Sequence, residues 1–214
     1  QALTLDRLGH VLRAYDAREQ MACLHFAPRR VDGTLSPAMF DWTGRNPRIG
    51  AVAVLVVPRA EGPRLLLTER HANLRNHGGE IAFPGGRVEA GEQLADAALR
   101  ETNEEIGLPP SAIELWGRLD GVYVPPSNFL VTPFTGLVLD ATGLRRDPGE
   151  VEAIIELPLE RIFDPAAVGH RHDEDRARDY DFVEWQGHEI WGATARILNN
   201  LAEALGQPCQ HLSF

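Results

Sequence analysis

Apolar side chains recur at helical spacing near the start of the chain, where Leu5, Leu8, Val11, Leu12 and Tyr15 predict an amphipathic helix over residues 4–16. Pro28, Pro37 and Pro47 then punctuate an irregular stretch up to about residue 48. A valine-rich run over 50–57 predicts a buried strand; the turn-forming Glu61-Gly62-Pro63 follows, and residues 64–69 predict a second strand. Residues 78–91 are too dense in glycine, with Pro84 among them, for a helix or a regular strand interior. Helical periodicity returns over 93–106 and is stopped by Gly107 and Pro109-Pro110. Strand-like segments follow at 112–124, 129–139 and 151–157. Beyond them come a charged loop over 170–179, a hairpin around Gln186-Gly187 and a closing helix over 193–205. Mixed strands with two or three helices predict an α+β protein with helices packed on a sheet.

Composition narrows the class. The 214 residues suit about one domain, long enough to bury a core without a disulfide or structural metal. The apolar run at 51–57 falls far short of the roughly 20 residues a membrane-spanning helix needs, so no membrane partner is expected. A net charge of −10 argues against a general nucleic-acid binder, although local arginines can still hold a small anion. Cys23 and Cys209 suggest no disulfide framework, and with no secretory leader read in the sequence the expected compartment is the cytoplasm.

The informative segment is Arg100-Glu101-Thr102-Asn103-Glu104-Glu105. At 100° per residue, Glu101, Glu104 and Glu105 share an arc of about 100°. Ala95, Leu99, Thr102 and Ile106 form the neighbouring stripe, predicted to face the core. Like charges at these spacings repel by roughly 0.2–0.5 kcal/mol per pair. The helix C-terminus disfavours anions by roughly 0.3–1 kcal/mol each. Arg100 is expected to offset only one of the three. A divalent cation reverses both penalties, and carboxylates at this density suit Mg²⁺ or Mn²⁺. A solvated acidic face is the alternative for any such cluster. Against it stand Gly85-Gly86, expected to make a tight turn open to close approach, and Glu92 at the start of the helix, a plausible partner for Arg100.

Gly86, Glu92 and Arg100-Glu101-Thr102-Asn103-Glu104-Glu105-Ile106-Gly107-Leu108 match the Nudix box in full. Leu66-Leu67-Thr68-Glu69-Arg70, Arg75, Gly79 and Phe83-Pro84-Gly85-Gly86 resemble the element upstream of the box in coenzyme A pyrophosphatases. So do Pro126-Ser127-Asn128-Phe129 and the run from Ile190 to Leu198. His71 stands where that group usually has Ser or Ala, and Glu80 where it has Gln. The resemblance implies a Nudix fold, an α/β/α sandwich around a mixed β-sheet, over residues 48–214, with residues 1–47 an N-terminal helical extension packed on the core. It implies metal-dependent hydrolysis of coenzyme A or its derivatives to 3′,5′-ADP and 4′-phosphopantetheine. Hydrolysis of ADP-ribose or NADH, or a non-catalytic nucleotide-binding module, are the alternatives.

The same resemblance implies site roles. Glu101 and Glu105 would be the principal metal ligands, joined by Glu104 and the Gly86 carbonyl, with Gly85 beside it against the substrate. Glu101, or a loop acid for which Glu150 is the candidate and Glu152 the second, would deprotonate water; an ordinary surface glutamate is the alternative for each. Arg100, paired with Glu92, would support the catalytic set by holding the loop against the helix. Arg70 and Arg75 would bind phosphate, including a 3′-phosphate, unless they are structural salt bridges. His170 and His172 read as solvated loop residues. His77 is open between substrate contact and packing, and the Trp191–Leu198 run is expected to pack the last helix. The N-terminal helix is a plausible homodimer element.

Overall fold

Residues 4–17, 26–36, 39, 42, 44–71, 79–174 and 177–206 are described by the computed structural model of the chain. In chain order the strands are β1 (Arg29–Arg30), β2 (Arg48–Val57), β3 (Arg64–Arg70), β4 (Ile81–Ala82), β5 (Gly85–Arg87) and β6 (Ile113–Arg118). They continue with β7 (Val122–Val124), β8 (Phe129–Val138), β9 (Val151–Pro158), β10 (Val168–Asp173), β11 (Arg178–Trp185) and β12 (His188–Ile190). The helices are α1 (Leu5–Arg13), α2 (Leu94–Ile106) and α3 (Gly192–Ala204).

Burial on both faces of β2 decides the layering. Ala51, Ala53, Leu55 and Val57 point to one side and share a core with Ala97, Ala98 and Ile106 of α2. Val54 and Val56 point to the other and pack with Leu8 and Leu12 of α1 and Leu198 and Leu201 of α3. Side chains that alternate faces at period two let one strand serve two cores. The result is a mixed eight-stranded sheet between α2 on one side and α1 with α3 on the other. At its centre β2 runs parallel to β8, with Arg48 opposite Phe129 and Val56 opposite Leu137. On its other edge β2 pairs with β3 near its end and with β5 near its start, each antiparallel. The expected α+β class and sandwich layering are observed. Among the described residues no helix is long and apolar enough to cross a membrane.

Several expectations need correction. Residues 78–91 contain β4 and β5, and Gly85-Gly86 lie in a strand hydrogen-bonded to β2 where a tight turn was expected. The stretch at 170–179 is no loop. Residues 168–173 and 178–185 pair as strands, with His170 opposite Asp181 and His172 opposite Asp179. A strand whose polar side chains meet across the ladder carries no hydrophobic alternation, so its sequence looks like a charged loop. The hairpin at Gln186-Gly187 is present, with φ of 51° and 84°, both left-handed.

The N-terminal segment adds to both layers. α1 lies on β6 so closely that a Cβ on Gly117 would come within 2.8 Å of the Leu12 carbonyl. β1 pairs antiparallel with β11 and joins β10 and β12 in a second, four-stranded sheet. α3 is buried along most of its length, its Arg196 donating to the Tyr123 carbonyl at 2.8 Å.

Small side chains set the distance between α2 and the sheet: Ala51, Ala53, Ala97 and Ala98 are all fully buried. Ala98→Leu forces extra methylenes into that contact and is expected to cost about 1–3 kcal/mol. Urea denaturation should show a lower midpoint at an unchanged slope; an unchanged midpoint would mean the two layers are not in tight contact.

Candidate active site

α2 has no side-chain hydrogen bond at its N-cap, Gln93, but ends on Gly107, whose φ of 72° suits glycine and whose N–H caps the Asn103 carbonyl. Its buried side is rotated from the predicted stripe. Ala97, Ala98, Thr102, Glu105 and Ile106 are buried, whereas Ala95 and Leu99 are only half-buried. Glu105 was expected at the border of the core and lies inside it, 3% exposed. Its carboxylate accepts from the Gly85 N–H at 3.2 Å and lies 3.5 Å from Arg70. Burial pushes its pKa up to about 7 against the opposing pull of the Gly85 hydrogen bond and Arg70. Glu101 is also raised, chiefly by burial and in spite of its bond to Arg100.

Gly86 of β5 makes room for Glu101, and Gly85 for the backbone of β2. A Cβ on Gly85, at φ 153°, would lie 2.4 Å from the Ala51 carbonyl oxygen. One on Gly86 would lie 2.5 Å from the carboxyl carbon of Glu101. Close approach of backbone and carboxylate, expected from the glycines, is therefore observed in an extended strand.

Arg100 does more than offset one acid. Its Nε donates to Glu92 at 2.8 Å, Nη1 to Glu101 at 2.8 Å and to Glu104 at 3.2 Å, and Nη2 to the Arg87 carbonyl at 3.1 Å. Five donors in a planar fork allow this where an ammonium could not. Glu92 also accepts from the Glu89 N–H, so the loop after β5 is tied to the middle of α2. Glu104, with 57% of its side chain exposed, is the outermost acid of the three.

The loop ahead of β9 is fastened to the end of the same helix. Arg145 and Asp147 donate backbone N–H groups to the carbonyls of Ile106 and Glu105, satisfying two that the helix leaves open. This brings exposed Glu150 near enough for its charge to raise both Glu101 and Glu105. A bulge in the β3–β9 ladder between Glu69 and Arg70 places Arg70 opposite Val151 and leaves Glu152 outside the register. Glu152 pairs with His71 at 3.4 Å. Arg75, His77, Cys23 and Cys209 lie outside the described residues. His170 and His172 are bonded to Asp181 and Asp179 at 3.0 and 2.6 Å on the second sheet and do not line the cleft.

Beside the carboxylates opens a cavity of about 800 Å³, with Arg70 on its wall. Sequence reasoning missed most of its lining: Arg29 and Arg30 from β1, Arg178 from β11, and Trp191, Gly192 and Arg196 at the start of α3. The run expected only to pack the last helix therefore also faces this space. An arginine pair in an irregular segment gives no periodic signal of where it points.

Among the described residues no three His, Cys, Asp or Glu side chains are grouped to hold a metal ion as they stand. Glu101 is turned onto Arg100 and Glu105 onto Gly85, so ligation requires Glu101 to give up the hydrogen bond it accepts from Arg100. The donor chemistry nevertheless fits a hard divalent cation. Two desolvated carboxylates with raised pKa values, a third acid on the same helix and a facing loop acid form a cluster that a cation would neutralise.

The NUDIX domain profile matches residues 48–186. Proteins named "Uncharacterized Nudix hydrolase NudL" from Salmonella paratyphi B and Salmonella newport are 38% identical over 172 residues, covering 75% of this chain and 84% of theirs. A solved structure of the MutT protein from Methanosarcina mazei Go1 superposes with a TM-score of 0.49 at 20% identity, covering 73% of this chain and 91% of that one.

The raised pKa of Glu105 has a consequence for stability in chelator. A carboxyl near its ordinary 4.5 when unfolded and about 7 when folded is bound to more protons in the native state between those values. Stability therefore falls as pH rises through that window, by up to about 3 kcal/mol. Glu105→Gln should flatten this decline, so that with EDTA present the variant melts higher than wild type at pH 8 but not at pH 4.5. Parallel pH profiles for the two proteins would contradict the burial of this charge.

Proposed function

The chain belongs to the Nudix hydrolase family, which acts on nucleoside diphosphate derivatives with divalent metal ions, and from that premise we propose that its substrate is coenzyme A or a derivative. The observation that carries this is the charge of the cleft: among the described residues five arginines and a single glutamate, Glu80, line the cavity beside the carboxylates of α2. Coenzyme A carries a phosphate beyond its diphosphate, which suits so basic a cleft better than ADP-ribose or NADH does. The match of residues 66–86 to the coenzyme A pyrophosphatase element supports the same choice.

The chain's residues divide the chemistry between them. Glu101, Glu105 and the Gly86 carbonyl would hold Mg²⁺ or Mn²⁺, with Glu104 available from its exposed position. Such an ion supplies charge neutralisation at the diphosphate and polarises the bond to be broken. Arg70, between Glu105 and the cavity, takes a diphosphate oxygen. Gly85 donates its N–H to Glu105 and so orients that acid. Arg100 acts as a positioning residue, fixing the loop after β5 against α2 through Glu92 and the Arg87 carbonyl. A water oxygen bonds to one phosphorus, the bond from that phosphorus to the bridging oxygen breaks, and the departing phosphate keeps the electron pair. The water's proton passes to a carboxylate. Glu150 is assigned this role because its charge already acts on Glu101 and Glu105, whereas Glu152 is held by His71. The products are 3′,5′-ADP and 4′-phosphopantetheine.

Chromatographic product analysis with coenzyme A, dephospho-coenzyme A, ADP-ribose and NADH, each with Mg²⁺ or Mn²⁺, tests the substrate class. Release of 3′,5′-ADP well ahead of the other reactions is expected; faster cleavage of ADP-ribose or NADH sinks the coenzyme A assignment. In the same assay Glu150→Gln should lower kcat about 10²–10⁴-fold with little change in melting temperature. Full turnover in Glu150→Gln would mean that the proton goes to another acid.

A further inference from the structure

Every one of the chain's 21 basic side chains is an arginine. Among the described residues five of them and a single carboxylate, that of Glu80, line the cavity beside α2, in a chain whose net charge is −10. Arg70 is committed to the carboxylate end, 3.5 Å from Glu105. The other four come from elements remote from the motif: β1, β11 and the first turns of α3.

Two of these arginines stand in an unfavourable relation. Arg30 of β1 is the direct cross-strand partner of Arg178 of β11. Like charges opposite one another on neighbouring strands destabilise a sheet, and both side chains border the same space. Arg178 is also held in place: its guanidinium lies over the Trp191 ring at 5.0 Å, its Nε is 3.7 Å from Asp173, and Trp191 is itself braced by Tyr180 at 5.0 Å. Arg29 is tethered through the Gly33 carbonyl at 3.2 Å. Guanidiniums fixed in this way lose less freedom on meeting an anion. α3 contributes from behind. Its first turn, Gly192 to Thr194, lines the cavity, and its N-cap Trp191 makes no side-chain capping bond. The positive end of a thirteen-residue helix therefore faces the same point.

We propose that Arg29, Arg30 and Arg178, with the N-terminus of α3, form a phosphomonoester subsite that takes the 3′-phosphate of the substrate, separate from the diphosphate position at Arg70 and the α2 carboxylates. The assignment rests on the coenzyme A substrate class and makes the second sheet its specificity element. A phosphomonoester carries close to two negative charges near neutral pH, enough to relieve the Arg30–Arg178 repulsion that a neutral ribose leaves in place. A cavity of about 800 Å³ accommodates a nucleotide between the two anionic positions.

The test compares two nucleotides that differ only in the 3′-phosphate, by calorimetry on the full chain. Wild type is expected to bind 3′,5′-ADP at least about tenfold more tightly than 5′-AMP, and Arg30→Gln and Arg178→Gln should each remove most of that preference. Turnover gives a second readout, in which the KM ratio of dephospho-coenzyme A to coenzyme A should fall in both variants. Arg30 is exposed, so its variant should fold as wild type does, which circular dichroism verifies. Variants that weaken both nucleotides equally, or a wild type indifferent to the 3′-phosphate, overturn the subsite. A protein that prefers 3′,5′-ADP through these arginines yet leaves coenzyme A uncleaved keeps the subsite and overturns the substrate proposed above.

Discussion

The rest of the structure is arranged around a carboxylate that is sealed from water. Glu105 belongs to the buried side of α2, and the groups that reach it are the backbone N–H of Gly85 and the guanidinium of Arg70. An ionised group in that position costs free energy unless positive charge comes close. The surroundings are shaped to allow this. Alanines on both α2 and β2 let the helix descend onto the sheet, glycines let β5 pass beneath the acids, and the loop ahead of β9 hangs from the last carbonyls of the helix. Loosening any one of these contacts would admit water to Glu105 and return it to an ordinary surface acid.

Arg100 sets the competing term. Where a cation would neutralise Glu101, the guanidinium already does so, and it holds Glu92, Glu104 and the Arg87 carbonyl as well. One side chain thus stiffens the loop and bridges two of the acids. An ion must displace only the contacts to Glu101 and Glu104, because the bonds to Glu92 and Arg87 can persist and keep Arg100 at its post.

Much of this was legible in the sequence. The helix carrying Glu101, Glu104 and Glu105, its stop at Gly107, the need for glycine at 85 and 86 and the pairing of Arg100 with Glu92 all follow from local spacing and side-chain chemistry. The rotation of the helix was not legible, because a stripe drawn through apolar residues omits Glu105, which is buried despite its charge. The β10–β11 hairpin was missed for a related reason: His170 and His172 face aspartates across a small sheet, so no hydrophobic alternation marks the strands. The arginines of the cleft were hidden most completely. Arg29, Arg178 and Arg196 are far apart in the chain and meet only through the pairing of β1 with β11 and the placement of α3.

That pairing has a consequence for how the protein is made. β1, at residues 29–30, leaves the ribosome well before the strand that receives it, at 178–185. The N-terminal strand must wait, unpaired, while the whole central sheet and α2 are synthesised. Contacts of such long sequence separation form late and slowly. The carboxylate helix can therefore be in place while the arginine wall of the cleft is still missing, so the acids of the site are assembled before its cations.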